Sequence, residues 1–142
     1  YQFYLNNGGT CDVVDYVAPI EQTIQDLVNA KLHELANARW QAVISGIKYN
    51  NITIDTNTDS QTYIIGAAYT ALKNPDYVCK WKTKEGFVML TAAEILGIAD
   101  MLRTHIQSCF DKEAELQVVL CSLTTKEEIN NFSWEILSDA GD

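Results

Sequence analysis

Apolar residues along this chain recur with two different periods, and the switches between them divide it into elements. At the start "YQFYL" and "TCDVVDYV" have strand character around the turn chemistry of "NNGG", so residues 1–18 read as an extended arm or hairpin. Pro19 stands near a helix start, where its missing N–H costs nothing. Ile20, Ile24, Leu27, Val28, Leu32, Leu35, Trp40, Val43 and Ile44 then follow at three- and four-residue steps. They predict one amphipathic helix that ends at Gly46 and is about 39 Å long.

The period then drops to two. Ile47, Tyr49, Ile52 and Ile54 alternate around Asn50-Asn51, which predicts a tight hairpin because asparagine tolerates positive φ. Polar "DTNTDS" is a loop in which Asp59 or Ser60 would cap a helix through "QTYIIGAAYTALKN". That helix must stop at Asn74-Pro75, since the residue before proline resists helical geometry. "YVCKWKT" and "FVMLT" flank "KEG", a second hairpin whose glycine takes the left-handed position.

Thr91 with Glu94 has capping-box spacing ahead of another long helix, with apolar positions from Ile95 through Ile98, Leu102, Ile106, Cys109, Phe110 and Leu116 to Leu123. At about 48 Å it is longer than a compact domain of this size is wide, so it must pair with another long helix, project, or serve an oligomer interface; the helix from Ile20 is the natural antiparallel partner. Thr125 with Glu128 forms a second box for a short closing helix, after which Phe132, Trp134, Ile136 and Leu137 are expected to pack inward. The expected fold class is α+β and mainly helical: two long antiparallel helices plus shorter helices, with small antiparallel β-hairpins. Residues 19–142 read as a single domain behind the 1–18 arm.

Composition narrows the partners. The chain has 142 residues, 47% of them hydrophobic, enough for a core. Ten basic against 19 acidic side chains give a net charge of −9. That argues against nucleic-acid backbones and anionic membranes as partners, and no apolar run is long enough for membrane insertion. No secretory signal is read at the start. Cys11, Cys79, Cys109 and Cys121 lack CxxC spacing, and Cys109 and Cys121 fall about 18 Å apart on one helix, too far to pair. All four read as thiols of a reducing compartment.

Candidate chemistry is sparse. Asp55, Asn57 and Asp59 alternate as in a calcium loop, but Ser60 and Gly66 occupy the positions where the loop needs glycine and glutamate. His33 and His105 read as helix-surface histidines, and Asp100–Arg103 and Glu113–Gln117 as surface pairs. No catalytic residue, metal ligand or cofactor-binding residue is assigned, and the chain is read as a non-enzyme. Trp81, between Lys80 and Lys82, is read as a core plug, with an aromatic platform as the alternative; Tyr49 and Tyr77 are the other candidate platform residues.

One stretch carries a resemblance. "GIKYNNITIDTNTDSQTYIIGA", "VCKWKTKEGFVMLTAAEI" and "HIQSCFDKEAELQ" together resemble a domain of unknown function in bacteriophage and prophage tail-fibre and tail-assembly proteins. The likeness covers roughly residues 36 to 130 and departs at Lys84-Glu85-Gly86, where the family has aspartate directly before the glycine. It implies a virion tail module, placed in the host cytoplasm during assembly, that works through contacts with tail or fibre proteins as a homo-oligomer or assembly factor. The alternative is a receptor-binding module that stacks a host surface glycan on Trp81, Tyr49 or Tyr77.

Overall fold

The computed structural model describes residues 23–136, so the expected 1–18 arm and Leu137 lie outside the described residues. Element order is α1 (Ile24–Val43), β1 (Ile47–Tyr49), β2 (Ile52–Ile54), α2 (Thr58–Lys73), β3 (Val78–Thr83), β4 (Gly86–Thr91), α3 (Ala92–Cys121) and α4 (Lys126–Asn130). The class is mainly helical α+β, with two long antiparallel helices, α1 and α3, and two separate antiparallel hairpins. Contacts among the described residues gather into two compact units: 23–39 with 110–136, and Trp40–Cys109.

The described part of α1 begins at Ile24, and Pro19 and Ile20 lie outside the described residues. Thr23 accepts from the Asp26 N–H, and Asp26 accepts from the Thr23 N–H, both at 3.1 Å, so a reciprocal cap fixes the first turn at Ile24. In the first unit Val28, Leu32 and Leu35 of α1 bury themselves with Leu116 and Leu120 of α3 and with Ile129 and Phe132. Each such side chain stabilises by roughly 1.5–3 kcal/mol when fully removed from water. Arg39 donates to the Glu113 carboxylate at 2.9 Å and lies 4.4 Å from the Phe110 ring centroid. Glu113 is therefore an ion-pair partner of α1 and only partly exposed. Trp40 and Ile24, expected on the buried stripe, are 47% and 41% exposed, and Ile136, expected to pack inward, is 36% exposed.

The second unit is built on hairpins. Asn50 (φ 49°) and Asn51 (φ 69°) both take the left-handed conformation that a two-residue hairpin requires, and they pair Tyr49 with Ile52 and Ile47 with Ile54. α2 is capped by Asn57, whose side chain accepts from the Ser60 N–H at 2.8 Å; the cap is neither Asp59 nor Ser60, because it must lie just before the first helical residue. α2 ends at Asn74 as Pro75 dictates. Ile64, Ala67 and Ala71 of α2 meet Ile47, Ile54, Leu90, Ile95, Ile98 and Leu102 in one core.

The end of α1 within this unit is closed by side chains. Thr56, fully buried, donates to the Val43 carbonyl at 2.6 Å and accepts from the Gly46 N–H at 2.9 Å. His105 places Nε2 2.9 Å from the Ala42 carbonyl and 3.2 Å from that of Val43. It is half-buried and satisfies helix-end carbonyls, which corrects its reading as a surface histidine. His33 is exposed.

Candidate functional site

The β3–β4 hairpin sorts its side chains by alternation. Cys79, Trp81 and Thr83 turn inward with Val88 and Leu90, while Val78, Lys80, Lys82, Phe87, Met89 and Thr91 face solvent. The turn is tighter than the sequence suggests. Thr83 pairs with Gly86, so only Lys84 and Glu85 form the loop and Gly86 (φ 115°) stands outside it. Thr83 holds the turn closed, donating to the Gly86 carbonyl at 2.7 Å and accepting from the Glu85 N–H at 3.1 Å.

Trp81 has two environments. Beneath it, Ile64, Leu90, Ile95 and Ile98 leave a gap of only about 10 Å³, barely room for one water. Its other side lines an open groove of about 540 Å³ shared with Lys80, Lys82, Tyr63 and Phe87, and with Asp55 and Ser60 at its margin. A second hollow of about 490 Å³ continues along Lys80, Phe87, Val88 and Met89. Trp81 is therefore both core and groove wall, not a simple plug. Lys80, Lys82 and Lys84 place three of the chain's ten basic side chains within five residues, on a protein of net charge −9. The Lys82 ammonium stands 6.0 Å from the Phe87 ring centroid, the outer limit of a cation–π contact.

The three candidate platform residues do not share one site. Tyr49 packs its ring against the backbone of Gly97 in α3. Tyr77 sits beside Cys79, whose charge, together with partial burial, pushes the phenol pKa above its ordinary value. Only Trp81 of the three lines the groove.

What the sequence reading missed is Phe87, Met89 and Tyr63. "FVML" is apolar throughout, so it carries no alternation to say which residues face out. Tyr63 lies one step from the buried Ile64 on a helix apolar on more than one face.

Among the described residues no group of histidine, cysteine, aspartate or glutamate could hold a metal ion, and no helix is long and apolar enough to cross a membrane. Cys79 and Cys109 are not disulfide-bonded, but Cys121 is, which corrects the expectation of four thiols. Helical spacing excludes Cys109 as its partner and says nothing about a cysteine remote in sequence.

The sequence pattern of a family described as "Domain of unknown function (DUF4376)" matches residues 26–133. Comparison with curated proteins and with solved structures returns no match.

Proposed function

We infer, starting from a chain that belongs to the DUF4376 family, that the protein is a non-enzymatic bacteriophage tail-fibre or tail-tip module acting through protein–protein contacts. The phage-tail part of this reading rests on the resemblance of the motifs around Gly46–Gln61, Trp81–Val88 and His105–Leu116. The contact part rests on one observation. The outer face of the β3–β4 hairpin leaves Phe87 70%, Met89 59% and Val78 48% exposed, side by side on six-residue strands. Apolar residues clustered this way and rimmed by lysines favour a partner surface over bare solvent. That partner would be a tail or fibre component, with the chain residing in the virion tail and meeting its partners in the host cytoplasm during assembly.

Cross-linking mass spectrometry on intact particles tests this reading. Lys80, Lys82 and Lys84 are expected to cross-link to a tail protein, and a Phe87→Glu/Met89→Glu variant to be left out of the particle while remaining folded. Hairpin lysines that react only with small reagents, with that variant incorporated normally, would sink it.

The groove at Trp81 favours a second reading, recognition of a host surface glycan, because an indole beside Tyr63 and Phe87 offers a stacking surface with cations at hand. Trp81→Ala risks the core, so the informative variant is Lys82→Glu, whose side chain faces solvent. Glycan-array binding by the wild type that Lys82→Glu abolishes supports this reading; silence across the array removes it.

A further inference from the structure

α2 presents a second apolar stripe, opposite the one it buries. Ile64, Ala67 and Ala71 face the core, whereas Thr58, Thr62, Ile65, Tyr69 and Leu72 recur at alternating four- and three-residue steps on the outside. That spacing is the seam of a helix pair. Ile65, Tyr69 and Leu72 are 64%, 61% and 70% exposed, far beyond what scattered surface residues need explaining. At the midpoint stands Gly66, where an added Cβ would meet nothing within 4 Å. A glycine inside a helix weakens it, and close approach of a second backbone is one reason to keep one.

We propose that this face binds the same face of a second copy of the chain, antiparallel, about a two-fold axis passing between Ile65 and Gly66. Helical geometry makes the face complementary to itself under that operation. With about 100° of rotation per residue, Thr62 and Tyr69 lie along its centre, Gly66, Lys73 and Asp59 on one flank, and Thr58, Ile65 and Leu72 on the other. A two-fold axis keeps each flank with its equivalent while reversing the order of residues. Ile65 then meets Ile65, Gly66 meets Gly66 and lets the helices close up, Tyr69 covers Thr62, and Leu72 covers Thr58.

Charge agrees with the same register. Asp59 is the acid of the first turn of α2 and Lys73 the base of its last turn, so each end of the paired helix brings Lys73 of one copy to Asp59 of the other. Lys73 already lies along this face, its ammonium 4.7 Å from the Tyr69 ring centroid. A parallel arrangement would instead leave the lysines together at one end and the aspartates at the other, with no opposite charge in reach. One helix face covers less than the roughly 800 Å² per partner of a standard interface, so the dimer is expected in the micromolar range. This assignment goes beyond the tail reading and stands or falls separately from it, since it needs no second protein.

Sedimentation velocity on the full chain, from low micromolar to near-millimolar, is the test. The wild type should pass from monomer to dimer. Gly66→Leu, which improves helix propensity while filling the close-approach point, should weaken dimerisation by about tenfold or more without lowering thermal stability. Ile65→Glu should be monomeric because the axis sets the two carboxylates against each other, and so should Ile65→Lys. Mixing those two variants should restore a dimer of one copy of each. A wild type that stays monomeric throughout, a dimer untouched by Ile65→Glu, or a mixture that fails to associate would each overturn the proposal.

Discussion

The ring of Tyr49 occupies the space where a side chain on Gly97 would begin: an added Cβ there would stand 2.9 Å from the Tyr49 hydroxyl and 3.0 Å from its Cε1. The first hairpin is thereby seated directly on the backbone of α3. Gly97→Ala should gain up to about 1 kcal/mol of helix propensity and lose more to overpacking, for a net destabilisation of about 1–2 kcal/mol. Urea unfolding measures it. Tyr49→Phe removes the nearest atom but not the ring carbons, so the double variant should recover part of the loss; strict additivity would show that the two residues do not touch.

Thr56 should be less replaceable than its size suggests. Thr56→Val keeps the shape but strands the Gly46 N–H and leaves the Val43 carbonyl only its longer contact with His105, at 3.2 Å. The expected cost is about 1–3 kcal/mol, read from the denaturation midpoint. Thr56→Ser retains the hydroxyl and should lose clearly less.

Arg39 acts through both its charge and its plane, meeting the Glu113 carboxylate and the Phe110 ring together. Arg39→Lys should cost about 1–2 kcal/mol, since an ammonium cannot present a flat cation to the ring while bonding a carboxylate at one side. Combining it with Phe110→Leu in a double-mutant cycle isolates the ring's share. A lysine variant as stable as wild type would reduce the arrangement to an incidental contact.

Glu128 supplies a pH dependence with a defined sign. Its carboxylate accepts from the Thr124 N–H at 3.2 Å and the Thr125 N–H at 3.3 Å, and these bonds, that of Thr124 foremost, hold its pKa below the ordinary 4.5. A lowered folded-state pKa gives stability that is fully present above that ordinary value and is lost as pH falls through the lowered one. The stability difference between wild type and Glu128→Gln should therefore be constant at neutral pH and shrink only below about pH 4.5. A difference that instead changes between pH 6 and 8, roughly the range of histidine titration, would point away from Glu128.

How much of this was legible beforehand follows from which interactions are local. Asn50-Asn51 announced the first hairpin because two left-handed residues in succession leave few alternatives. Thr91–Glu94 and Thr125–Glu128 announced their helices because both halves of each box lie three residues apart. The Thr23–Asp26 cap has the same spacing but with aspartate, and the apolar period running through Ile20 hid it. His105 could not be placed, because its partners, Ala42 and Val43, are more than sixty residues away in sequence. The candidate groove was legible only at Trp81, because an uninterrupted "FVML" says nothing about which of its residues a sheet will leave outside.

One lysine carries a further consequence. Lys31 of α1 donates to the Phe132 carbonyl at 2.8 Å and to that of Asn130 at 3.4 Å, while Phe132 and Ile129 are buried with Leu32 and Leu35. Chain near residue 130 is thus bolted to chain near residue 31 by an ammonium as well as by packing, and amide protons on both sides should exchange with deuterium at a common rate, as one opening event. Removing the bolt with Lys31→Met should split that event in two, the closing helix exchanging first.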